Sequence, residues 1–376
     1  MNRFTVTYRI VADDEADAQA RAHAIALEDT VEIPRDVVPA GYIEDTVLGR
    51  VESVVAQSGN VWISRIAYHI DAVGRELPQL LNVVLGNASI LAGVKAIDFA
   101  ANADITERFP GARFGAAGLR ELTGRETDGY VCPVIKPQGS STETLAELCY
   151  LTAVAGADII KEDHGLANQD KSPFKERVVA CADAVARANS ERAAQGDTTR
   201  ALYFANITGH GDQVRQDAYF AKEAGAAGIL LIPGLLGFDA INRLAQDTDF
   251  GLPIMVHPSH LGPYVLSPDH GYSHAMLFGQ LMRLAGADIS VFPNYGGRFG
   301  FSVDECKSIA AACSTADGIG TPILPSPGGG MSLDRMSDMM ALYGKDCVYL
   351  LGGSLLRYGD KVGDAIREMR QALAST

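Results

Sequence analysis

The feature of this sequence that most constrains its fold is a repeat of eight short apolar runs beyond residue 119. Segments of helical length separate the runs, and in residues 141–156 the apolar side chains recur at helical spacing. Eight strand–helix units in residues 119–376 match a TIM (β/α)8 barrel in number and length, whereas a doubly wound sheet usually needs fewer strands. The predicted strands are residues 131–137, 157–163, 202–208, 227–233, 253–259, 287–294, 322–330 and 347–353.

The first third of the chain predicts a ferredoxin-like unit. Its elements follow the order strand, helix, strand, strand, helix, strand, and Ser58-Gly59-Asn60 suits a hairpin turn. The predicted strands are residues 3–12, 47–57, 61–70 and 95–102, and the predicted helices are residues 13–30 and 76–92. We therefore predict an α/β protein with a ferredoxin-like α+β domain over residues 1–118 and a TIM-barrel catalytic domain over residues 119–376.

Composition excludes several kinds of partner. The chain has 46 acidic and 32 basic residues and no Lys/Arg cluster, so we expect no nucleic-acid partner. No apolar run reaches the ~18 residues of a membrane span, and the first residues lack a secretory signal, so we expect no membrane contact and a cytoplasmic location. The six cysteines form no C-x-x-C pair and are expected to be free thiols.

Polar residues and glycines stand at the carboxyl end of nearly every predicted barrel strand. The packing of a buried strand does not require such residues. The carboxyl ends of barrel strands meet at one mouth, where barrel active sites are built. We therefore predict one active site at this mouth. Its predicted residues are Lys136, Lys161, Asp163, His164, Asn206, His257, Asn294, Gly328, Gly329, Gly330, Gly352 and Gly353.

Lys161 and Asp163 stand two residues apart on one predicted strand, so both point into the mouth while Glu162 points away from it. This pair permits three interpretations. It is a salt bridge, the Schiff-base lysine of an aldolase, or a lysine that has captured carbon dioxide as a carbamate. A carbamate and a carboxylate together offer the hard oxygen ligands that Mg²⁺ prefers. The residues alone leave all three interpretations open.

Lys136 and the glycine clusters would contact two different ends of a substrate. Lys136 ends the first barrel strand, where it would either transfer protons or hold an anion at the rim. Gly328–Gly330 and Gly352–Gly353 follow the seventh and eighth strands, where barrels commonly bind phosphate with backbone N–H groups. A phosphorylated substrate is the expectation.

Taken together, these segments resemble the RuBisCO superfamily. VIKPQGSS, which contains Lys136, is similar to the family's IKPK-type strand, and GADIIKEDHGLANQDKSPF is similar to the segment with the carbamylated lysine and the Mg²⁺-binding carboxylates. PSPGGGMSLDRM and YLLGGSLLRYGD resemble its two phosphate-binding segments. LLNVVLGNAS resembles the segment whose asparagine, here Asn87, reaches the neighbouring subunit's active site, and ALEDT places Glu28 similarly.

The departures from the family pattern are equally informative. Gln138 replaces the second lysine of IKPK, and Pro258 replaces the arginine that grips a second phosphate. The loop after the sixth strand, FPNYGGRFGFS, lacks the lysine that polarises carbon dioxide, and its nearest cation is Arg298. Without these groups the carboxylation of ribulose bisphosphate loses its electrostatic stabilisation. The chain therefore resembles a RuBisCO-like protein and not a carboxylase.

The resemblance implies a metal site and a set of roles. Carbamylated Lys161, Asp163 and His164 would hold one Mg²⁺ per site, with Mn²⁺ or a metal-free site as alternatives, because His164 replaces the usual carboxylate. Lys136 or Lys161 would remove the substrate proton, and His257 would donate to a substrate oxygen or be a structural histidine. The remaining predicted pocket residues are Asn206 as an orienting partner, and Asn294 and Arg298 where a second phosphate no longer binds.

The implied reaction is enolisation of a ketose monophosphate, with 5-methylthioribulose 1-phosphate isomerase as the favoured activity. The alternatives are 2,3-diketo-5-methylthiopentyl 1-phosphate enolase, and a decarboxylase or hydrolase of a phosphorylated 3-oxo sugar acid. A Schiff-base barrel aldolase and a non-catalytic phosphate-ligand binding protein are the hypotheses from other classes. The resemblance also implies a homodimer or higher homo-oligomer with active sites shared between subunits.

Overall fold

The computed structural model describes residues 2–374, and it begins with a four-stranded antiparallel sheet. The elements of this first part are β1 (Arg3–Val11), α1 (Glu15–Glu28), β2 (Arg50–Ser58), β3 (Val61–His69), α2 (Leu77–Leu85) and β4 (Val94–Ala100). The strands lie in the order β4-β1-β3-β2. Alternate residues of β1 are buried, namely Phe4, Val6, Tyr8 and Ile10, because successive side chains of a strand point to opposite faces. The predicted ferredoxin-like order is confirmed.

The second predicted helix is shorter than expected. It was predicted over residues 76–92, but α2 ends at Leu85 and a 3-10 turn follows at Asn87–Ile90. Gly86 separates the two, and a Cβ atom at this position would lie 2.3 Å from the Asn82 carbonyl oxygen. The chain therefore requires glycine at this break, which turns Asn87 out of the helix.

The rest of the chain forms an eight-stranded parallel barrel, as predicted. Its strands are β5 (Tyr130–Ile135), β6 (Ile159–Glu162), β7 (Leu202–Asn206), β8 (Gly228–Leu231), β9 (Ile254–Val256), β11 (Ile289–Pro293), β12 (Leu324–Gly328) and β13 (Val348–Leu351). They follow the order β12-β11-β9-β8-β7-β6-β5-β13. Where β12 approaches β13, the Ser326 hydroxyl donates to the Val348 carbonyl at 3.0 Å, so the barrel is nearly closed.

Helices surround the barrel. They are α3 (Ala103–Arg108), α4 (Gly115–Thr123), α5 (Thr142–Val154), α6 (Phe174–Ala194), α7 (Gln213–Glu223), α8 (Pro233–Leu236), α9 (Phe238–Gln246), α10 (Gly262–Val265), α11 (Met282–Ala285), α12 (Val303–Ser314), α13 (Met336–Tyr343) and α14 (Val362–Ala374). Leu119 of α4 packs with Tyr130 and Leu202 in the barrel interior. The predicted domain boundary between residues 118 and 119 thus falls inside α4, and its exact position stays a prediction.

Every barrel strand contributes apolar side chains to the barrel interior. Cys132, Phe204, Leu230 and Met255 belong to one buried cluster, as expected for parallel strands that are covered on both faces. Gly228 makes room for the Phe204 ring, since a Cβ atom there would lie 2.4 Å from the ring. A filled interior leaves only the ends of the strands for chemistry.

A fifth strand, β10 (Gly271–Tyr272), joins the barrel half to the N-terminal sheet. It follows β9 in the chain but pairs in parallel with β4, with Gly271 opposite Lys95 and Tyr272 opposite Ala96. Gly271 has a φ of 83°, a left-handed conformation that favours glycine. The loop between β9 and β10 is therefore held by both halves of the chain.

Two expectations from composition can be compared with the structure. Within residues 2–374, no helix is long and apolar enough to cross a membrane. All six cysteines are free and buried, as the cysteine spacing predicted.

Candidate active site

The carboxyl ends of the barrel strands surround a cavity of about 930 Å³. Its wall contains charged residues at the ends of β5 and β6, histidines that follow β6 and β9, and glycines at the ends of β12 and β13. The predicted site residues in this wall are Lys136, Lys161, Asp163, His164, His257, Arg298, Gly328, Gly329, Gly330, Gly352 and Gly353. The barrel therefore brings a charged cluster and two glycine turns together in one space.

Asp163 is the centre of the charged cluster. Its Oδ1 atom lies 2.9 Å from Lys136 Nζ and 3.6 Å from His164 Nδ1. Burial raises the pKa of the Asp163 carboxyl, but hydrogen bonds from His164 and Lys136 and the charge of Lys161 outweigh burial and hold that pKa well below its usual range. Asp163 is consequently ionised at neutral pH and compensates the charge of the neighbouring lysines.

Lys161 is the most enclosed cation of the cluster. Its residue is 1% exposed, and its Nζ donates to the Glu162 carbonyl at 2.8 Å. Burial lowers the pKa of Lys161 to about 8, while the nearby Asp163 charge raises it. A part of the Lys161 amine is therefore neutral and nucleophilic near neutral pH, which a solvated lysine is not.

The strand alternation predicted for residues 161–163 is present, with Glu162 on the outer face of the barrel. Its carboxylate pairs with the Arg177 guanidinium of α6 at 2.7 Å, and both side chains are fully buried. The Tyr203 hydroxyl donates to Glu162 at 2.6 Å. A buried charge needs such partners, and this network anchors β6 from behind the cavity.

His257 stacks on His164 with ring centroids 3.9 Å apart and planes 15° apart. Burial and the nearby charges of Lys161 and His164 hold the pKa of His257 well below its ordinary value, so the ring is neutral. The Ser259 amide donates to His257 Nδ1 at 3.2 Å, which makes Nδ1 the acceptor. A neutral ring with Nδ1 as acceptor carries its proton on Nε2 and can donate from there.

The glycine turns form another part of the wall. Gly329 and Gly330 have φ angles of 80° and 69°, a left-handed conformation that side chains disfavour. The Ser354 hydroxyl donates to the Met331 carbonyl at 2.8 Å and thereby links the two turns. Two adjoining glycine turns with accessible backbone suit the binding of an anion.

Sequence analysis missed several residues that line the cavity. The polar ones are Ser259, His260, Ser332, Ser354 and Arg357, and the apolar ones include Val265, Leu266, Phe299 and Phe301. Ser354 and Arg357 lie within YLLGGSLLRYGD, so their segment already carried the signal. The apolar residues carry no such signal, because a wall residue and a core residue look alike in sequence.

Two predicted pocket residues lie behind the wall. Within residues 2–374, the lining of this cavity includes neither Asn206 nor Asn294. The loop after β6 folds across Asn206, whose amide donates to the Leu166 carbonyl at 2.8 Å. Asn294 follows β11 on the face opposite Val291, and its oxygen accepts from the Tyr343 hydroxyl at 2.6 Å. Both asparagines support loops of the site and do not face the cavity.

Glu28 and Asn87 lie together on the exposed surface of the N-terminal part. Asn87 Nδ2 lies 3.5 Å from Glu28 Oε2 and 3.0 Å from Glu32 Oε1. Sequence analysis did not anticipate Glu32, which has a left-handed φ of 53°. Neither Glu28 nor Asn87 lines the cavity of this chain within the described residues, so their predicted role requires a second subunit.

The fold and cavity define a class, the barrel enzymes whose active site lies at the carboxyl ends of the strands. The family described as ribulose bisphosphate carboxylase large chain, catalytic domain, matches residues 116–294. The chain is 34% identical to ribulose bisphosphate carboxylase-like protein 1 of Rhodopseudomonas palustris, covering 99% of this chain and 98% of that protein. It therefore belongs to the RuBisCO-like proteins, and it is an enzyme of that family.

Two further relatives have named activities. The chain is 36% identical to the 5-methylthioribulose-1-phosphate isomerase of Rhodospirillum rubrum, covering 96% of this chain and 93% of the relative. It is 30% identical to the 2,3-diketo-5-methylthiopentyl-1-phosphate enolase of Bacillus licheniformis, covering 94% and 87%. These names describe the relatives, and both belong to the reactions expected from the sequence.

Solved structures agree with the fold. The RuBisCO-like protein from Rhodopseudomonas palustris superimposes with a TM-score of 0.87 at 32% identity, covering 100% of this chain and 98% of that chain. A dimeric archaeal RuBisCO from Hyperthermus butylicus has a TM-score of 0.87 at 20% identity, covering 100% and 90%, which shows the fold alone. Structural relatives thus include an oligomer.

The proton position on His257 can be tested directly. We expect nitrogen NMR at pH 6.5 to show a neutral imidazole protonated on Nε2, because the Ser259 amide occupies Nδ1 and burial disfavours the cation. Comparison with His257→Gln assigns the signals. A doubly protonated ring, or a neutral ring protonated on Nδ1, would contradict this assignment.

Proposed function

We propose that this protein is a RuBisCO-like isomerase that moves a proton within a ketose monophosphate, with 5-methylthioribulose 1-phosphate as its substrate. One observation carries the proposal. Lys136, Asp163 and the buried Lys161 share a single cavity with the glycine turns after β12 and β13. The cavity thus offers a proton-transfer group at one side and an anion cradle at another. The isomerase of Rhodospirillum rubrum, at 36% identity, supports this choice of substrate.

The phosphate would bind at the glycine turns. The backbone N–H groups of Gly328, Gly329, Gly352 and Gly353 are the proposed donors, and all four residues line the cavity. The left-handed backbone at Gly329 favours glycine, which has no side chain. This turn therefore has no side chain there that would keep a phosphate away. With the phosphate held there, the ketone carbon can reach the charged cluster within the same cavity.

The proton transfer would use Lys136 or Lys161 as the base. The base is either the Lys136 amine or a carbamate oxygen on Lys161. It takes a proton from the carbon beside the ketone, and the electron pair of the broken C–H bond forms an enediolate. His257 donates from Nε2 to the oxygen on which negative charge develops. The protonated base then delivers its proton to the former carbonyl carbon. The hydroxyl on the neighbouring carbon becomes the new ketone, and the proton that it loses replaces the one that His257 donated, so the product is an isomer and nothing else is consumed.

The residues present fit a divalent cation if Lys161 is carbamylated. Within residues 2–374, no group of three His, Cys, Asp or Glu side chains is arranged to hold a metal. Asp163 and His164 supply an oxygen and a nitrogen ligand 3.6 Å apart, and a carbamate on Lys161 would supply the third. A bound Mg²⁺ would stabilise negative charge on the substrate oxygens. Mn²⁺ is the alternative, since it accepts a nitrogen ligand more readily.

The site is proposed to be shared between two subunits, with Asn87 and Glu28 of one chain completing the cavity of the other. Asn87, Glu28 and Glu32 form an exposed cluster of mutual hydrogen bonds. Ile90, three residues beyond Asn87, is 82% exposed, as expected for an apolar side chain that another subunit covers.

Lys136→Met is expected to lower the rate of enolisation by about 10²–10⁴-fold, because it removes the proton-transfer group and keeps the side chain's length. The measurement is proton and phosphorus NMR of 5-methylthioribulose 1-phosphate with the protein, Mg²⁺ and bicarbonate in D₂O. Wild type should introduce deuterium at carbon and produce a new ketose phosphate. Lys175→Met, on the exposed face of α6, is the matched control and should retain activity.

Other outcomes of this experiment identify the alternatives. Deuterium exchange without an isomer would favour the diketo enolase reaction named for the Bacillus licheniformis relative. A covalent adduct on Lys136 or Lys161 after borohydride treatment with substrate would identify a Schiff-base aldolase. Full exchange activity in Lys136→Met would overturn the assignment of this lysine.

Carbamylation of Lys161 is expected to increase as the pH rises through about 8, because only the neutral amine reacts with carbon dioxide and burial lowers the pKa of Lys161 to that value. Carbon-13 NMR with labelled bicarbonate should show a carbamate signal that Lys161→Met lacks and Lys136→Met retains. An identical signal in Lys161→Met would refute this site of modification.

Shared sites are expected to show complementation. Lys136→Met and Asn87→Ala homo-oligomers should each lose most activity, whereas a co-expressed mixture should recover about a quarter of the wild-type activity, because half of random dimers contain one intact site. The assay is the same deuterium exchange. A mixture no more active than either parent would show that each chain's site is complete by itself.

A further inference from the structure

Lys95, a buried lysine outside the active-site cluster, contacts the loop that forms one wall of the cavity. Lys95 lies on β4 of the N-terminal sheet and is 7% exposed. Its Nζ donates to the Val265 carbonyl at 3.3 Å and to the Ser267 carbonyl. These two carbonyls belong to the residues on either side of Leu266. One ammonium group therefore holds the backbone directly before Leu266 and again one residue after it.

Leu266 is the residue held between these two hydrogen bonds. Its side chain lines the cavity, yet the residue is 65% exposed. An isolated leucine with that exposure would ordinarily move freely, but here the Leu266 amide also donates to the Gly262 carbonyl at 3.1 Å. Three hydrogen bonds thus hold the backbone around Leu266, and its side chain lines the cavity.

Further contacts join the same loop to the N-terminal sheet. Arg9 of β1 pairs with Asp269 at 2.6 Å. The Ser273 amide donates to the Ala96 carbonyl at 2.8 Å, next to the pairing of β10 with β4. Because β4 and β1 are neighbouring strands of one sheet, Lys95, Arg9 and β10 hold the loop to a single rigid support.

Part of the wall that this loop forms is apolar, although Ser259 and His260 of the same loop also line the cavity. Val265 and Leu266 after β9 line the cavity, and so do Phe299 and Phe301 after β11. Strand β9 lies two positions from β12 in the barrel, so Val265 and Leu266 lie apart from the glycine turns that follow β12 and β13. Phe299 instead adjoins the first of these turns, because a Cβ atom at Gly329 would lie 3.6 Å from its ring. A ligand whose phosphate occupies the glycine turns would present its other end to apolar side chains.

Burying a lysine is costly, so its position needs an explanation. Burial and the charge of Arg9 lower the pKa of Lys95, while Glu305 and Asp269 raise it. A methionine of similar length would fill the same space without the cost of desolvating an ammonium group. What methionine lacks is the ability to donate to two carbonyls at once, which is the property that holds the loop.

We propose that Lys95 is a positioning residue for substrate selection, which fixes Leu266 so that the loop after β9 forms an apolar wall for an uncharged, apolar end group of the substrate. The selection rests on the proposed function, because it assumes a ketose phosphate bound through the glycine turns. The clamp on the loop does not depend on the substrate. The two parts are therefore tested separately.

The clamp is tested by hydrogen exchange of the free protein. Lys95→Met should increase the exchange rate of the Leu266 amide by about tenfold or more, since the loop loses two of its hydrogen bonds. Lys95→Arg, which retains donors, should restore most of the protection. Arg108→Met is the matched control, because Arg108 donates to the Ile70 and Gly74 carbonyls of a loop in the N-terminal part. Unchanged Leu266 exchange in Lys95→Met would overturn the clamp.

The selection is tested by calorimetry in a Lys136→Met background, where binding is measured without turnover. The two ligands are 5-methylthioribulose 1-phosphate and ribulose 1-phosphate, which differ in a methylthio or hydroxyl group at carbon 5. The parent should bind the methylthio compound more tightly. Lys95→Met and Leu266→Ser should each reduce that preference by about five- to tenfold. Arg108→Met should leave the preference unchanged.

Each failure has a distinct meaning. If Lys95→Met weakens the binding of both ligands equally, Lys95 has only a structural role and the proposed selection is wrong. A parent that binds both ligands equally would overturn the apolar wall and leave the proposed enolisation intact. If neither ligand binds the parent, the proposed function and the selection both fall, and hydrogen exchange still decides whether Lys95 holds the loop.

Discussion

The buried ion pair between Glu162 and Arg177 is the interaction on which the active site depends. Strand β6 carries charge on both faces, with Lys161 facing the cavity and Glu162 facing α6. A carboxylate buried without partners would destabilise the strand by several kcal/mol, on the order of the cost of breaking a buried pair. Arg177 and the Tyr203 hydroxyl satisfy it. The strand can therefore present a lysine inward at a defined position.

Charge balance at the mouth follows from this arrangement. Asp163 compensates Lys136 directly and Lys161 through space, so the cavity holds one carboxylate between two amines. Burial lowers the pKa of the enclosed Lys161 to about 8, and burial and the neighbouring charges hold the pKa of His257 well below its ordinary value. His257 is left as a neutral donor. The cluster thus combines an amine that can lose its proton with a ring that can donate one.

The N-terminal part of the chain makes two kinds of contact that concern the active site. Through Lys95 and Arg9 it holds the loop after β9 of its own barrel. Through Asn87 and Glu28 it presents an exposed polar cluster, which the proposed function assigns to a neighbouring subunit. The two contacts use different parts of this domain, because Lys95 and Arg9 lie on strands β4 and β1, whereas Glu28 ends α1 and Asn87 follows α2. The break at Gly86 makes the second contact possible, since a continuous helix would not release Asn87.

The sequence by itself determined the fold class and the residues of the charged cluster. Strand and helix periodicities are local, so the eight units, the inward pair Lys161 and Asp163 and the outward Glu162 were all predictable. The ordered motifs then indicated the family. Glycines 328, 329, 352 and 353 were predictable for the same reason, because they directly follow recognisable strands.

Only the tertiary structure decided which polar residues face the cavity and which support it. Asn206 ends β7 and Asn294 follows β11, but the loop after β6 covers Asn206, and Tyr343 of α13 holds Asn294 behind the wall. The hydrogen bonds of Lys95 hold the backbone around Leu266, which lies 171 positions away in sequence. Strand β10 likewise pairs with a sheet whose strands lie 170 or more residues earlier in the chain. Such contacts depend on how whole elements pack, and local patterns carry no information about them.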